Sequence, residues 1–333
     1  MPLLYNPYGY ILNWRGLLLF ICVIGYCRCL RTDESSGSHA FLFLMPNKGS
    51  REAKNNIYMK KVIKEFIPPV IFKMLPLNSR RTFSNYHDAL KLCTTNAYEE
   101  NELIEVIFKK TKIYSSKLNS EAAIISETNA YSLLSLINPI IDNKANEINV
   151  LDFGGACGGH YFQLRRLLNK NFKLNWIVIE TPTMVKYAKE LETNELFFVD
   201  NFEDAIKKLS KIDLLHTSGT LQCVDSPEKY LDKILNCNAK WILFNRLGLN
   251  RLDRNVITIH SSKLSWNGIG ELPEGYTDRW VKYPFNFMSE AKFLKSLEEK
   301  YSTIAKFNDL SGMYPVSGEK IVGYGLLCKH KNI

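Results

Sequence analysis

Residues 148–161 read I-N-V-L-D-F-G-G-A-C-G-G-H-Y, and this stretch decides the fold. The run is mostly apolar rather than alternating, as expected of a strand buried on both faces of a parallel sheet. It ends in an acid, Asp152, and passes through a Gly-rich turn into an amphipathic segment, 161–168, predicted to be a helix. In a doubly wound α/β sheet such a junction lies at the carboxyl end of a strand, where small ligands bind. Gly154, Gly155, Gly158 and Gly159 would let the backbone approach a ligand that a side chain would block.

Outward from this loop the chain alternates strand and helix. The run N-W-I-V-I-E at 175–180 is a second strand ending in an acid, Glu180. A third strand at 195–199 ends at Asp200 and Asn201. A fourth at 212–216 leads into T-S-G-T-L-Q at 217–222, and a helix at 227–235 has Ser226 as its cap and Pro227 in its first position. A fifth strand covers 240–244, and 301–307 and 322–329 are expected as a final antiparallel pair. Upstream, near-helical periodicity at 99–118 and 129–137, with a capped start near Ser84 or Asn85, predicts a helical cap ahead of the sheet.

Two cofactor classes compete for such a core. Nicotinamide and flavin sites use G-x-G-x-x-G with the pyrophosphate on a helix N-terminus, and no register of this loop meets that template. The loop fits D-x-G-x-G-x-G if Ala156 replaces the middle glycine. An acid at the strand end repels pyrophosphate but suits a cofactor carrying a sulfonium and an ammonium. Glu180, at the end of the next strand, can accept hydrogen bonds from both hydroxyls of a ribose. The pattern favours S-adenosylmethionine.

On the core at 151–163, Glu180, F-x-D at 198–200, S-G-x-L-Q at 218–222, the F-S-x-Y opening at 83–86 and the aromatic segment 276–287, the chain resembles the class I S-adenosylmethionine-dependent methyltransferases. More narrowly, it resembles a bacterial methyltransferase family associated with surface-polysaccharide gene sets. The resemblance covers about residues 60–329. It implies a Rossmann-like fold: a mostly parallel seven-stranded sheet with helices on both faces. Asp152, Gly154, Gly155, Ala156 and Gly158 would line the methionine and ribose side, Glu180 would hold the ribose, Asp200 and Asn201 would lie by the adenine, and Ser218 to Gln222 would floor the cleft. The implied reaction is O-methylation of a sugar or another small polar acceptor. The alternative is a degenerate methyltransferase-like protein that binds without catalysis.

A hydroxyl acceptor needs a base in reach. His160, His216 and His260 are the candidates, with Asp278 and Tyr283 behind them; His216, inside a strand, also reads as a packed core residue, and His260 is favoured. Gln222, Tyr276 and Tyr283 are expected at the acceptor, Tyr276, Trp280 and Tyr283 forming a stacking wall for a sugar ring.

Composition sets bounds on these readings. With 46% hydrophobic and 23% charged residues, the 333-residue chain has a substantial core, which excludes wholesale disorder. Its net charge of +9 is dispersed, with no long basic block, so no nucleic-acid partner is expected. Eight irregularly spaced cysteines read as reduced thiols of a cytoplasmic protein, and no metal site is expected. Residues 16–27 are uncharged and largely apolar, but twelve helical residues reach only ~18 Å against a ~30 Å hydrocarbon core. Three readings stand: an interfacial or short membrane anchor giving contact with a membrane surface, an export signal, or an extension ahead of a natural start at Met59. The expected organisation is a weakly ordered or membrane-proximal extension at 1–58, a helical cap at 59–145 and the cofactor domain at 146–333.

Overall fold

The computed structural model describes residues 81–93, 97–118, 120, 122, 127–142, 146–308, 316 and 321–333, all within one compact unit, Pro69–Ile333. The expectations for 1–58, for the Met59 start and for the beginning of the helical cap lie outside these residues. Among the described residues no helix is long and apolar enough to cross a membrane.

The described chain opens with a short strand, β1 (Thr82–Phe83), and helix α1 (Tyr86–Leu90). Of the two expected caps, Asn85 is the one used, its side chain accepting from the Asp88 amide at 2.8 Å. Helices α2 (Asn101–Lys117) and α3 (Glu127–Asp142) follow. The alternating unit then runs β2 (Glu147–Phe153), α4 (Gly159–Leu167), β3 (Lys173–Ile179), α5 (Pro182–Ala188), β4 (Leu196–Val199), α6 (Phe202–Lys208), β5 (Leu214–Ser218), α7 (Pro227–Asn236) and β6 (Trp241–Asn250). Strands β7 (Val256–Lys263) and β8 (Trp280–Phe287), helix α8 (Glu290–Lys300), and strands β9 (Tyr301–Asn308) and β10 (Ile321–His330) complete it.

The main sheet has the order β4-β3-β2-β5-β6-β10-β9. The first five strands pair in parallel, and β10 is antiparallel to both neighbours. This is the class I methyltransferase sheet that the sequence implied, with the order reversing between β2 and β5. Alternation along the strands divides the core into two layers. Ile148, Val150, Trp176 and Val178 face α2, α3, α4 and α5, while Leu151, Phe153, Ile177 and Ile179 face α6, α7 and α8. The large buried side chains contribute on the order of 1.5–3 kcal/mol each.

Two features depart from the sequence reading. Strand β6 runs past Phe244 to Asn250, because its second half pairs with β10 from Leu247 to Asn250. A second, antiparallel sheet of order β1-β7-β8 occupies the region between the fifth strand and the tail. Its inner face carries Tyr283, Phe285 and Phe287, all almost fully buried.

The segment between β7 and β8 is fastened to α2 by Lys110, which is buried. Its ammonium donates to the carbonyls of Ser265 (2.7 Å), Asn267 (2.6 Å) and Gly268 (3.2 Å). This holds Ile269 over the start of α4, where a Cβ on Gly159 would come within 3.1 Å of it. Lys110→Met keeps the stem but leaves three carbonyls without their donor. It is expected to cost about 2–3 kcal/mol, read as a lower urea midpoint at unchanged slope.

Candidate functional site

The loop after β2 is built from residues held in left-handed conformations. Gly154 (φ 75°), Ala156 (φ 51°) and Gly158 (φ 78°) have positive φ, and Ala156 is the costly one because its Cβ crowds the backbone there. The neighbouring strand supplies the restraint. Glu180, just past β3, accepts from the Ala156 amide at 2.9 Å and from its neighbour Thr181 at 3.0 Å. Each oxygen thereby engages one donor and keeps room for another, so the two acceptor positions expected for a ribose remain. Burial pushes the Glu180 carboxyl up to about 6; the two amides pull against that shift and Asp152 adds to it.

The glycines serve packing more than approach to a ligand. A Cβ on Gly154 would lie 2.1 Å from the Thr220 hydroxyl, and one on Gly155 would lie 2.3 Å from an Asp152 oxygen. Both spaces are filled from within the protein, so at these two positions the side a Cβ would occupy is closed by Thr220 and Asp152.

Asp152 does not face the open end of the loop. By strand alternation it shares the face of Ile148 and Val150, and it is fully buried. In the parallel register it lies directly beside His216 of β5, and the two side chains meet. Asp152 Oδ1 accepts from His216 Nδ1 at 2.9 Å, and Oδ2 accepts from Trp176 Nε1 at 3.2 Å. His216 Nε2 lies 2.8 Å from the Ser132 hydroxyl of α3. Burial works to raise the Asp152 carboxyl, but the His216 charge and hydrogen bond outweigh it and hold the group below its usual range. His216 therefore has both ring nitrogens engaged and no exposed surface, so it is a strut beneath the loop and not the base the sequence suggested.

His160, in the first turn of α4, packs its ring 4.7 Å from that of His216. Burial, with the positive neighbours His216 and Arg246, lowers it to about 3, so it is neutral at working pH and a poor proton acceptor. Its Nδ1 is buried without a hydrogen bond, 3.9 Å from Asp152 Oδ2. Asp152, His160 and His216 each offer one ligand atom within 4.8 Å of one another, where the sequence pointed to no metal site. The Asp152–His216 hydrogen bond already accounts for two of them.

The remaining predicted residues are dispersed. Asn201 caps α6, accepting from the Asp204 amide at 2.8 Å, while Asp200 is exposed beside it. The Ser218 hydroxyl accepts from Arg246 Nε at 3.0 Å. Gln222 is buried against β6, donating to the Arg246 carbonyl at 3.1 Å and accepting from the Gly248 amide at 3.4 Å, so its amide is engaged by backbone and not by an acceptor. Tyr283 and His260 are register partners on the inner face of the small sheet, with ring centroids 5.1 Å apart. His260 also stacks flat on Phe285, with centroids 4.4 Å apart. Trp280 alternates onto the outer face, three positions from Tyr283, and packs edge-on against exposed Trp266. Tyr276 accepts from Lys109 at 2.9 Å. The three aromatics thus form no continuous wall; strand alternation places Trp280 and Tyr283 on opposite faces.

Sequence reasoning placed Thr220 only within the run 218–222 that floors the cleft, without its contact on Gly154, and missed Arg246. Thr220 lay in the quoted T-S-G-T-L-Q run, where a small polar residue opposite a Gly loop was a usable signal. Arg246 had none, since its direction depends on how β6 pairs with β10. Two cavities of about 490 Å³ lie away from the loop, one beside Asp213 and Lys240 at the amino ends of β5 and β6, the other beside Arg165 and Arg166.

No family model and no curated protein matches the chain. Among solved structures, an S-adenosylmethionine-dependent methyltransferase from Clostridium acetobutylicum ATCC 824 is 13% identical, aligning over 66% of this chain and 96% of that one with a TM-score of 0.37. Magnesium protoporphyrin IX methyltransferase from Synechocystis PCC 6803, with bound S-adenosylmethionine, is 13% identical over 71% of this chain and 99% of that one, with a TM-score of 0.35. An amino pentose methyltransferase from Micromonospora echinaspora is 8% identical over 66% and 97%, with a TM-score of 0.37. The fold of this chain rests on its own strand order.

His216→Leu leaves the Asp152 charge buried without its main partner and is expected to cost about 3–5 kcal/mol. Combining it with Asp152→Asn should cost less than the sum of the single changes by about 1 kcal/mol or more, measured as a urea-unfolding double-mutant cycle.

Proposed function

We propose that the chain is an S-adenosylmethionine-dependent methyltransferase acting on a hydroxyl of a small polar acceptor, a sugar or nucleotide-sugar of surface-polysaccharide synthesis fitting the resemblance best. The observation that carries the reading is the half-buried Glu180 carboxylate, held between the loop amide of Ala156 and its own neighbour at the end of β3, with acceptor capacity to spare. The residues present suit the cofactor: an acid for a ribose diol, exposed Asp200 for an adenine amine, and a loop that fails the dinucleotide template.

When bound, S-adenosylmethionine supplies an electrophilic methyl group on a sulfonium. The chain would have to hold an acceptor hydroxyl in line with that group and take up its proton. The chain's part is orientation. In this reading Gly154 to Gly158 and Glu180 would fix the donor side, and the aromatic layer of His260, Tyr283 and Phe285, with Tyr98 packed 5.1 Å from Tyr283, would cover the acceptor and exclude water. Holding two reactants in a near-attack arrangement is worth up to ~7–11 kcal/mol in well-oriented cases. His260, stacked on Phe285, is the base in this reading, the candidate that remains with His216 enclosed and His160 too weakly basic.

Calorimetric titration with S-adenosylhomocysteine tests the reading. Wild type should bind, and Glu180→Gln should bind about tenfold or more weakly. The pH dependence has a defined sign. Because the folded Glu180 value, about 6, lies above the ordinary 4.5, proton uptake over that interval stabilises the fold but removes a ribose acceptor. Affinity should therefore fall as pH drops through 6 while wild-type stability rises, and both trends should be absent from Glu180→Gln. Absence of binding by wild type sinks the reading.

A further inference from the structure

We propose that Arg246 forms an anion subsite in the cleft and that its ligand is a carboxylate, carried either by the methionine end of the cofactor or by the acceptor. The first source rests on the methyltransferase reading; the second does not.

The backbone around Arg246 is arranged to aim this side chain. Tyr324 pairs with Leu247 and Leu326 with Phe244, so Asn245 and Arg246 together oppose the single residue Gly325: β6 carries a bulge. Arg246 has φ 50°, and among the described residues it is the one non-glycine with positive φ inside a strand. Such a conformation is strained for a residue with a Cβ and persists only where its surroundings enforce it. Opposite the bulge the fit is tight: a Cβ on Gly325 would lie 3.1 Å from Phe307 and 3.3 Å from the Phe244 carbonyl. Gln222 braces both sides of the bulge through the Arg246 carbonyl and the Gly248 amide.

The side chain so directed lies over the end of β5. Its Nε and Nη2 donate to the hydroxyl and the carbonyl of Ser218, at 3.0 Å and 2.9 Å. Gly219, at φ 73°, turns the chain under the guanidinium, 3.4 Å from where its Cβ would be. The next residue, Thr220, packs on Gly154, so the guanidinium stands at the crevice where the strand order reverses, the position at which open α/β sheets bind ligands.

Among the described residues no carboxylate lies within ion-pair distance of Arg246, whereas Arg165, Arg251 and Arg279 each pair with a glutamate. The group is exposed, and two of its five N–H donors are engaged. The rest form a planar fork whose natural complement is a carboxylate.

The test compares wild type, Arg246→Gln and Arg246→Lys, each first checked for an unchanged melting transition. Calorimetry with S-adenosylmethionine and with decarboxylated S-adenosylmethionine isolates the cofactor's carboxylate. In parallel, saturation-transfer NMR with D-glucuronate and D-glucose, on protein saturated with S-adenosylhomocysteine, isolates a carboxylate on the acceptor. If the cofactor is the source, Arg246→Gln weakens S-adenosylmethionine about 10- to 100-fold and the decarboxylated compound less than about twofold, with Arg246→Lys between. If the acceptor is the source, both cofactors bind alike to all three proteins, and glucuronate, but not glucose, loses its signal in Arg246→Gln. Equal weakening of both cofactors with glucuronate unchanged, or no change in any arm, overturns the subsite. Should wild type bind neither cofactor, the methyltransferase reading fails, and the glucuronate arm on the free protein alone decides the subsite: its loss in Arg246→Gln supports it, and its absence or persistence overturns it.

Discussion

The fully buried contact between Asp152 and His216 is the constraint around which the central sheet is arranged. It exists because β2 and β5 run in parallel and in a register that sets the two residues side by side on one face. A carboxylate with no solvent exposure is tolerable only if it is paired and hydrogen-bonded, and His216 and Trp176 together meet that requirement. Ser132 extends the network to α3, tying a helix of the cap to the two strands flanking the switch point. Any slip of register by one residue would turn Asp152 to the other face, away from both His216 and Trp176.

Above this floor, the loop is shaped by groups of the protein itself. Asp152 and Thr220 fill the spaces that Gly155 and Gly154 leave, and Glu180 draws in the Ala156 amide. The two acids at neighbouring strand ends have thus divided their work. Asp152 is structural and faces inward, while Glu180 is half-exposed at the rim and keeps lone pairs available. Their different surroundings move their proton affinities in opposite directions, down for Asp152 and up for Glu180.

The second sheet and the β6 bulge complete the cleft from the other side. Lys110 anchors the β7–β8 connection, and the inner face of β7 and β8 presents an aromatic layer of His260, Tyr283 and Phe285. Arg246, aimed by the bulge at the end of β5, is exposed, bonds Ser218 and, among the described residues, has no carboxylate within ion-pair distance.

The sequence alone determined the alternating order of strands and helices, the Gly loop after β2, the acids at the ends of β2 and β3, and the antiparallel pair at the tail. Each is written in local pattern: continuous apolar runs, glycines at a strand end, Pro227 opening a helix. Tertiary structure alone decided which way those residues face. That His216 is a strut, that Trp280 and Tyr283 part company, and that Gln222 braces backbone all follow from strand register and alternation, which join residues far apart in the chain. The direction of Arg246 is the clearest case, because it is fixed by one unmatched residue in the pairing of β6 with β10, and no local pattern in either strand encodes that mismatch.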